Sequence, residues 1–196
     1  MCRDFESSVL AGTFSYLTAL ILYNRNIGYD RWLALIIFSF SSIQWAEAII
    51  WKNLDNDINM TITSYLIPII LASEGLFSLI GASMYETVDP YMWVIYIVIF
   101  FAIILGWSKT SGSKVVDGNL SWRPVDWSAN LAFAVYLIVP VYMYMHDELM
   151  KNTLIVFTLG SLAYAIINNS KSISSNWCYY ANIASVIALS RPYVPL

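Results

Sequence analysis

The sequence predicts an all-α fold, an integral membrane bundle of seven helices, and three observations carry that reading. Hydrophobic residues make up 59% of the 196-residue chain and charged residues only 12%, against about a quarter charged in soluble domains. Apolar runs recur that approach the roughly 20 residues needed to cross a bilayer. Six of the eight tryptophans, Trp32, Trp51, Trp93, Trp107, Trp127 and Trp177, fall near the ends of those runs, where indole prefers the membrane interface. The mean hydropathy of +0.62 agrees. Nothing alternates over the length of a barrel strand.

Each span has its own signature. The first, 8–23, follows "MCRDFESS", a start with two acids, one base and no cleavage site, so it reads as a retained helix rather than a signal peptide. The second, 32–51, begins and ends on tryptophan and carries Gln44 and Glu47. The third, 62–85, contains Pro68 and Glu74, and the fourth, 91–107, is almost wholly apolar. The fifth, 128–145, contains Pro140. The sixth and seventh, 152–168 and 176–190, are diluted by Ser, Asn and Gly. Pro68 and Pro140 are expected to interrupt their helices. One transmembrane domain therefore covers 1–196, with no separate soluble module. The one long link, 108–126, is polar and reads as a solvated surface loop or a lid.

With seven crossings, the N-terminal side holds Arg3, Lys52, Lys109, Lys114, Arg123 and Lys171, and the opposite side holds Arg25, Arg31, Lys151 and Arg191. That count places the N-terminus in the cytoplasm by the positive-inside rule. Two other signals oppose it and favour an N-terminus outside. The glycosylation patterns at Asn59, Asn119 and Asn168 all lie on the N-terminal side, as do both cysteines, which would need an oxidising compartment to pair. Cys2 and Cys178 are either a bridge that closes the first helix onto the last or two unrelated thiols. A metal site has no support, because structural zinc needs four converging ligands and His146 is expected a bilayer away. His146 is expected to cap the end of the fifth helix, where a cation is favoured.

The candidate site is a pair of intramembrane acids. Ser41, Gln44, Glu47 and Trp51 share one face of the second helix, and Glu74, Ser78, Gly81 and Tyr85 share one face of the third. Charged groups at membrane depth usually face the bundle interior or water, so both stripes are expected inside. At about 1.5 Å per residue the acids differ in depth by about 8–10 Å, with Gln44 between. No Lys, Arg or His lies in any of the seven spans. Each acid is then a proton or cation site, or a neutral hydrogen-bonded acid that fixes helix packing. Asn130, Asn168 and Asn182 are candidates for bonds between helices. "VYMYMH", with Tyr142 and Tyr144, lines a pocket or anchors the interface.

Several classes are disfavoured. The scattered bases give no nucleic-acid surface. No catalytic Ser-His pair, paired aspartates or metal-binding histidine set is present, so an enzyme is the least supported class, and no cofactor is implied. A retinal pigment needs a lysine in the last helix, and 176–190 has none. The Pro-Gln signature of SWEET-related transporters is absent.

Met1-Cys2, then Gln44-x-x-Glu47 with Trp51, and Ser175-Asn176-Trp177-Cys178 resemble a group of uncharacterised multi-spanning membrane proteins of bacteria and large viruses. The chain departs from that pattern at Arg3-Asp4 and at Ala48. The resemblance implies a seven-helix membrane fold and no activity. The leading expectation is therefore a channel or transporter for a proton, a cation or a small solute, with Glu74 central and Gln44, Glu47, Ser41 and Ser78 along the approach. The alternative is a non-transporting sensor or interaction protein whose acids fix packing. The partner in both is the lipid bilayer, and an oligomer is compatible with either.

Overall fold

The computed structural model describes residues 4–107, 111–122, 127–168 and 173–190, with the backbone alone at 127, 174, 175 and 177–181. Its elements are α1 (Phe5–Arg25), α2 (Asp30–Lys52), α3 (Asp57–Thr61), a π-helical turn (Ile62–Leu66), α4 (Ile67–Ser83), α5 (Pro90–Gly106), β1 (Lys114–Val116), β2 (Asn119–Ser121), α6 (Trp127–Tyr144), α7 (Glu148–Asn168) and α8 (Ile173–Ser190). The fold is all-α apart from one short hairpin. α1, α2, α7 and the continuous rod Asp57–Ser83 are each long and apolar enough to cross a membrane; α5 and the apolar part of α6 are shorter.

α1, α3 and α7 begin earlier than the apolar runs, because polar residues cap them. Asp4 accepts the Ser7 amide at 2.7 Å, and the Ser7 hydroxyl accepts from the Asp4 amide at 3.3 Å. Asn56 accepts the Ile58 amide at 2.9 Å, and Asp147 accepts that of Met150 at 2.9 Å. A side-chain oxygen at this position satisfies one of the amides that a helix start leaves open. The Ser7 amide, then its hydroxyl, hold the Asp4 carboxyl below its ordinary value. α1 stops at Asn26, whose left-handed φ of 51° turns the chain towards α2.

α2 is the central element and packs on α1, α4 and α8; α4 meets α5 and α6, and α7 joins α6 to α8. The two prolines set how α4, α5 and α6 lock together. Pro140 has no N–H, so the carbonyl four residues back, on Tyr136, loses its helical partner. The Tyr96 hydroxyl of α5 donates to that carbonyl at 2.8 Å, and Ser78 of α4 donates to the next one, on Leu137, at 3.0 Å. The same logic holds at Pro68. The Ile67 amide bonds back to Ile62 in π register, so the next amide in that register would be the one Pro68 lacks. Trp107 Nε1 donates to the carbonyl concerned, on Thr63, at 3.1 Å.

The link after α5 is not a loop standing in solvent. Asp117 and Gly118, both at positive φ, make a two-residue turn between β1 and β2, the geometry that Asp-Gly favours. The hairpin turns Leu120 inward, fully buried, and Trp122, just beyond β2, is 3% exposed; both join the core formed by Ile43, Ile50, Ile67 and Leu71. Ser113 ties the hairpin to α3 through Asn59. Asn59 Nδ2 donates to the Ser113 and Leu54 carbonyls, its Oδ1 accepts the Ser113 amide at 2.8 Å, and Thr63 bonds both residues. Asn59 and Asn119 are each only 3% exposed. A glycan at either position does not fit this packing, so neither pattern supports the orientation reading.

Aromatic residues close the opposite end. Trp32 is fully buried, its ring 6.3 Å from that of Tyr85 and 5.9 Å from that of Tyr29. The Tyr144 hydroxyl donates to Asp89 at 3.2 Å, while Tyr142 is exposed. The expected cap at His146 is also corrected. Its Nε2 lies 3.1 Å from Glu86 in the α4–α5 turn, and its amide donates to the Tyr29 hydroxyl. Arg25 and Asp30 form a two-point ion pair at 2.6 and 2.8 Å across the α1–α2 turn.

Candidate functional site

α2 and α4 bring both sequence-identified acids into the interior. Glu47 is fully buried, and Trp122 Nε1 donates to its Oε1 at 3.1 Å. The carboxylate at the end of α2 is thus covered by the hairpin. Gln44, one turn earlier, is also fully buried. Glu74 is 2% exposed, in the middle of α4. Its Oε1 is buried and has no hydrogen-bond partner among the described residues.

The surroundings of Glu74 are tightly filled. Tyr136 of α6 packs against the adjacent Gly75 so closely that a Cβ there would come within 2.3 Å of the ring. Its hydroxyl donates to the Ala72 carbonyl at 3.1 Å, and its ring stacks on Tyr96 at 4.7 Å. The two serines expected beside the acids have other work. Ser41 donates back to the Ile37 carbonyl of its own helix at 2.7 Å, and Ser78 holds the Leu137 carbonyl. Backbone carbonyls thus take the hydroxyls that would have lined a polar path.

Among the described residues, cavities between helices include three that are not lined by Gln44, Glu47 or Glu74. One of about 280 Å³ lies between α2, α7 and α8, one of about 580 Å³ along α1 and α2, and one of about 440 Å³ between α1 and α8. Their walls are overwhelmingly apolar.

Other expectations resolve individually. Asn182 of α8 accepts from Ser15 of α1, which in turn accepts from Ser185 at 3.1 Å, so the first and last helices are joined by a polar triad inside the bundle. Asn168 instead bonds the Tyr164 carbonyl of its own helix. Asn130 is buried on α6. Cys2 and the Cys178 side chain lie outside the described residues. Among those residues, no cluster of three or more acids, histidines or cysteines forms a metal site.

Trp122 is the functional neighbour that residue-type reasoning passed over. Its signal was present: Asp117-Gly118 flanked by Val115-Val116 and by Leu120 with Trp122 is a hairpin pattern with an apolar face. Tyr96 and Tyr136 sit in runs of apolar residues and carried no distinguishing mark.

The fold and site define an all-α protein with several helices long and apolar enough to span a membrane and with two acids buried between them. No family model, curated protein or solved structure matches the chain.

Proposed function

We propose that this chain is a seven-crossing membrane protein that acts by binding within the bilayer, as a sensor or interaction protein, and conducts nothing along its axis. The seven crossings are α1, α2, the rod Asp57–Ser83, α5, α6, α7 and α8. The observation that carries the reading is the Trp122–Glu47 hydrogen bond. It ties the one polar loop of the chain onto the acid that would otherwise open the N-terminal side. The buried Trp32 and its tyrosines support the same reading at the other end, as do the apolar walls of the cavities beside α2.

A second reading has one specific observation in its favour. A buried polar atom without a partner costs about 1–3 kcal/mol, and Glu74 Oε1 is such an atom. A proton or cation taken up at Glu74 would compensate that cost and make this acid the centre of a transport path. The orientation we propose, N-terminus outside, rests on the cysteine positions and the Asn168 pattern once Asn59 and Asn119 are set aside as glycan acceptors.

Resistance of the protein to alkaline extraction from membranes, with accessibility of single cysteines introduced at Gly28 and Gly118, tests crossings and orientation together. The expected result is retention in the membrane and labelling of the two positions from opposite sides. Release into the soluble fraction, or labelling from one side only, would contradict the topology.

A further inference from the structure

The cavity between α2, α7 and α8 has features that identify an occupant. Its walls are Leu33 and Ile37 of α2, Met150 and Phe157 of α7, and Ala184 and Ala188 of α8, with neighbours of the same character. The two hydroxyls on its lining are both committed to their own helices: Thr153 donates to the Leu149 carbonyl at 2.7 Å, and Ser190 to that of Ile187 at 2.9 Å. The wall therefore offers a polar solute no free hydroxyl donor.

Its placement is one-sided. The lining starts at the first turns of α2 and α7 and the last turn of α8, which all lie at the same end of the bundle. From Leu149 to Phe157 it runs about 12 Å along α7 at about 1.5 Å per residue. Half of a hydrocarbon core of about 30 Å is about 15 Å. The cavity is thus about one leaflet deep and begins at the interface.

Two charge pairs lie at the mouth among the described residues. Arg25 Nη2 donates to the carbonyl of Ala188, a lining residue, while the same guanidinium holds Asp30. Lys151, beside Met150 on α7, pairs with Glu148 at 2.6 Å. A free fatty acid would bring an uncompensated carboxylate to these already matched pairs. A zwitterionic phospholipid brings a matched pair of its own.

We propose that this cavity is a binding site for one acyl chain of a zwitterionic phospholipid of the surrounding leaflet. The proposal rests on the membrane reading above and adds the ligand class. The chain lies along Met150, Leu154 and Phe157, and the headgroup stays at the interface beside the Arg25–Asp30 pair.

The test uses the full chain in nanodiscs of phosphatidylcholine that carries a diazirine in one acyl chain. After photolysis, adducts are mapped by mass spectrometry. Expected are adducts concentrated on the lining of α2, α7 and α8, falling by about tenfold, equivalent to about 1.4 kcal/mol of binding, in Ala184→Phe. Ala163→Phe, on an exposed face of α7, is expected to leave them unchanged. Thr153→Phe narrows the mouth and provides a second blocking variant should Ala184→Phe fail to fold. Adducts spread evenly over exposed helix faces and indifferent to either blocking variant would overturn the proposal. So would labelling by a diazirine fatty acid with none by the phospholipid. A protein that never enters the nanodisc would instead overturn the membrane reading itself, which separates the two failures.

Discussion

Trp122, from the polar link between α5 and α6, donates its indole N–H to the buried carboxylate of Glu47 on α2 at 3.1 Å. Two segments 75 residues apart in the chain are joined by one hydrogen bond inside the core. The contact packs the polar link onto the core and gives the buried carboxylate a hydrogen-bond donor.

Removing the donor should therefore destabilise the fold. Trp122→Phe keeps an aromatic ring but takes away the N–H, and a buried acceptor deprived of a donor costs about 1–3 kcal/mol. Glu47→Gln retains an oxygen that can accept, so its cost is expected to be the smaller. Thermal unfolding in detergent checks the order, with about 2–4 °C of Tm per kcal/mol for a chain of this size. Equal stability of native protein and Trp122→Phe would remove the hairpin from the account of Glu47.

Glu74 should respond in the opposite sense. Replacing an unpartnered buried polar group by an apolar one of similar shape is neutral or stabilising. Glu74→Met is expected to hold or raise Tm, whereas Glu47→Met lowers it. A loss of several degrees in Glu74→Met would mean that the acid has a packing or bonding role that its surroundings do not display.

The carbonyl freed by Pro140 gives a coupled prediction. Tyr96→Phe leaves the Tyr136 carbonyl without its donor and should cost about 1–3 kcal/mol. In a Pro140→Ala background the restored amide can take that carbonyl, so the same substitution should cost much less. A double-mutant cycle measures the coupling, and additive effects would show that the two residues act independently.

Asn59 anchors the hairpin through Ser113 and Thr63. Asn59→Ala should loosen that anchor, seen as faster proteolysis within 111–122 while the helices stay protected. The native protein made in a secretory pathway should carry no glycan at Asn59 or Asn119, read directly from its mass.

The start of α1 should depend on pH. The Asp4 carboxyl is held below its ordinary value by Ser7, so its capping contribution is complete above the ordinary carboxylate range. The contribution is lost as pH falls through the lowered value. Amide exchange in the first turn of α1 should accelerate across that range in the native protein. It should do so less in Asp4→Asn, which still caps but does not titrate there.

The apolar helices were legible in the sequence because continuous apolar length is a feature that composition reports directly, whereas Trp32, expected at an interface, is fully buried in the core. The boundaries were less so. Asp4, Asn56 and Asp147 extend helices through cap hydrogen bonds, which a hydropathy reading places outside the span. The inward placement of Glu47 and Glu74 followed from their cost in lipid. Their unequal environments did not, since the partner of Glu47 comes from a polar link that composition marks as solvated. Asn59 shows the same limit: a surface glycosylation pattern and a buried four-bond anchor are written with the same residues. The tyrosine and tryptophan donors to the carbonyls left by Pro140 and Pro68 are set by packing between helices, and no local pattern encodes them.

The central claim, that the axis is closed and the acids do not carry ions, is tested most directly by proton and cation flux into liposomes containing the native chain, Glu74→Gln or Glu47→Gln. The account predicts flux no greater than that of empty liposomes for all three. Flux in the native protein that Glu74→Gln abolishes, with Tm unchanged, would contradict it and make Glu74 the centre of a transport path.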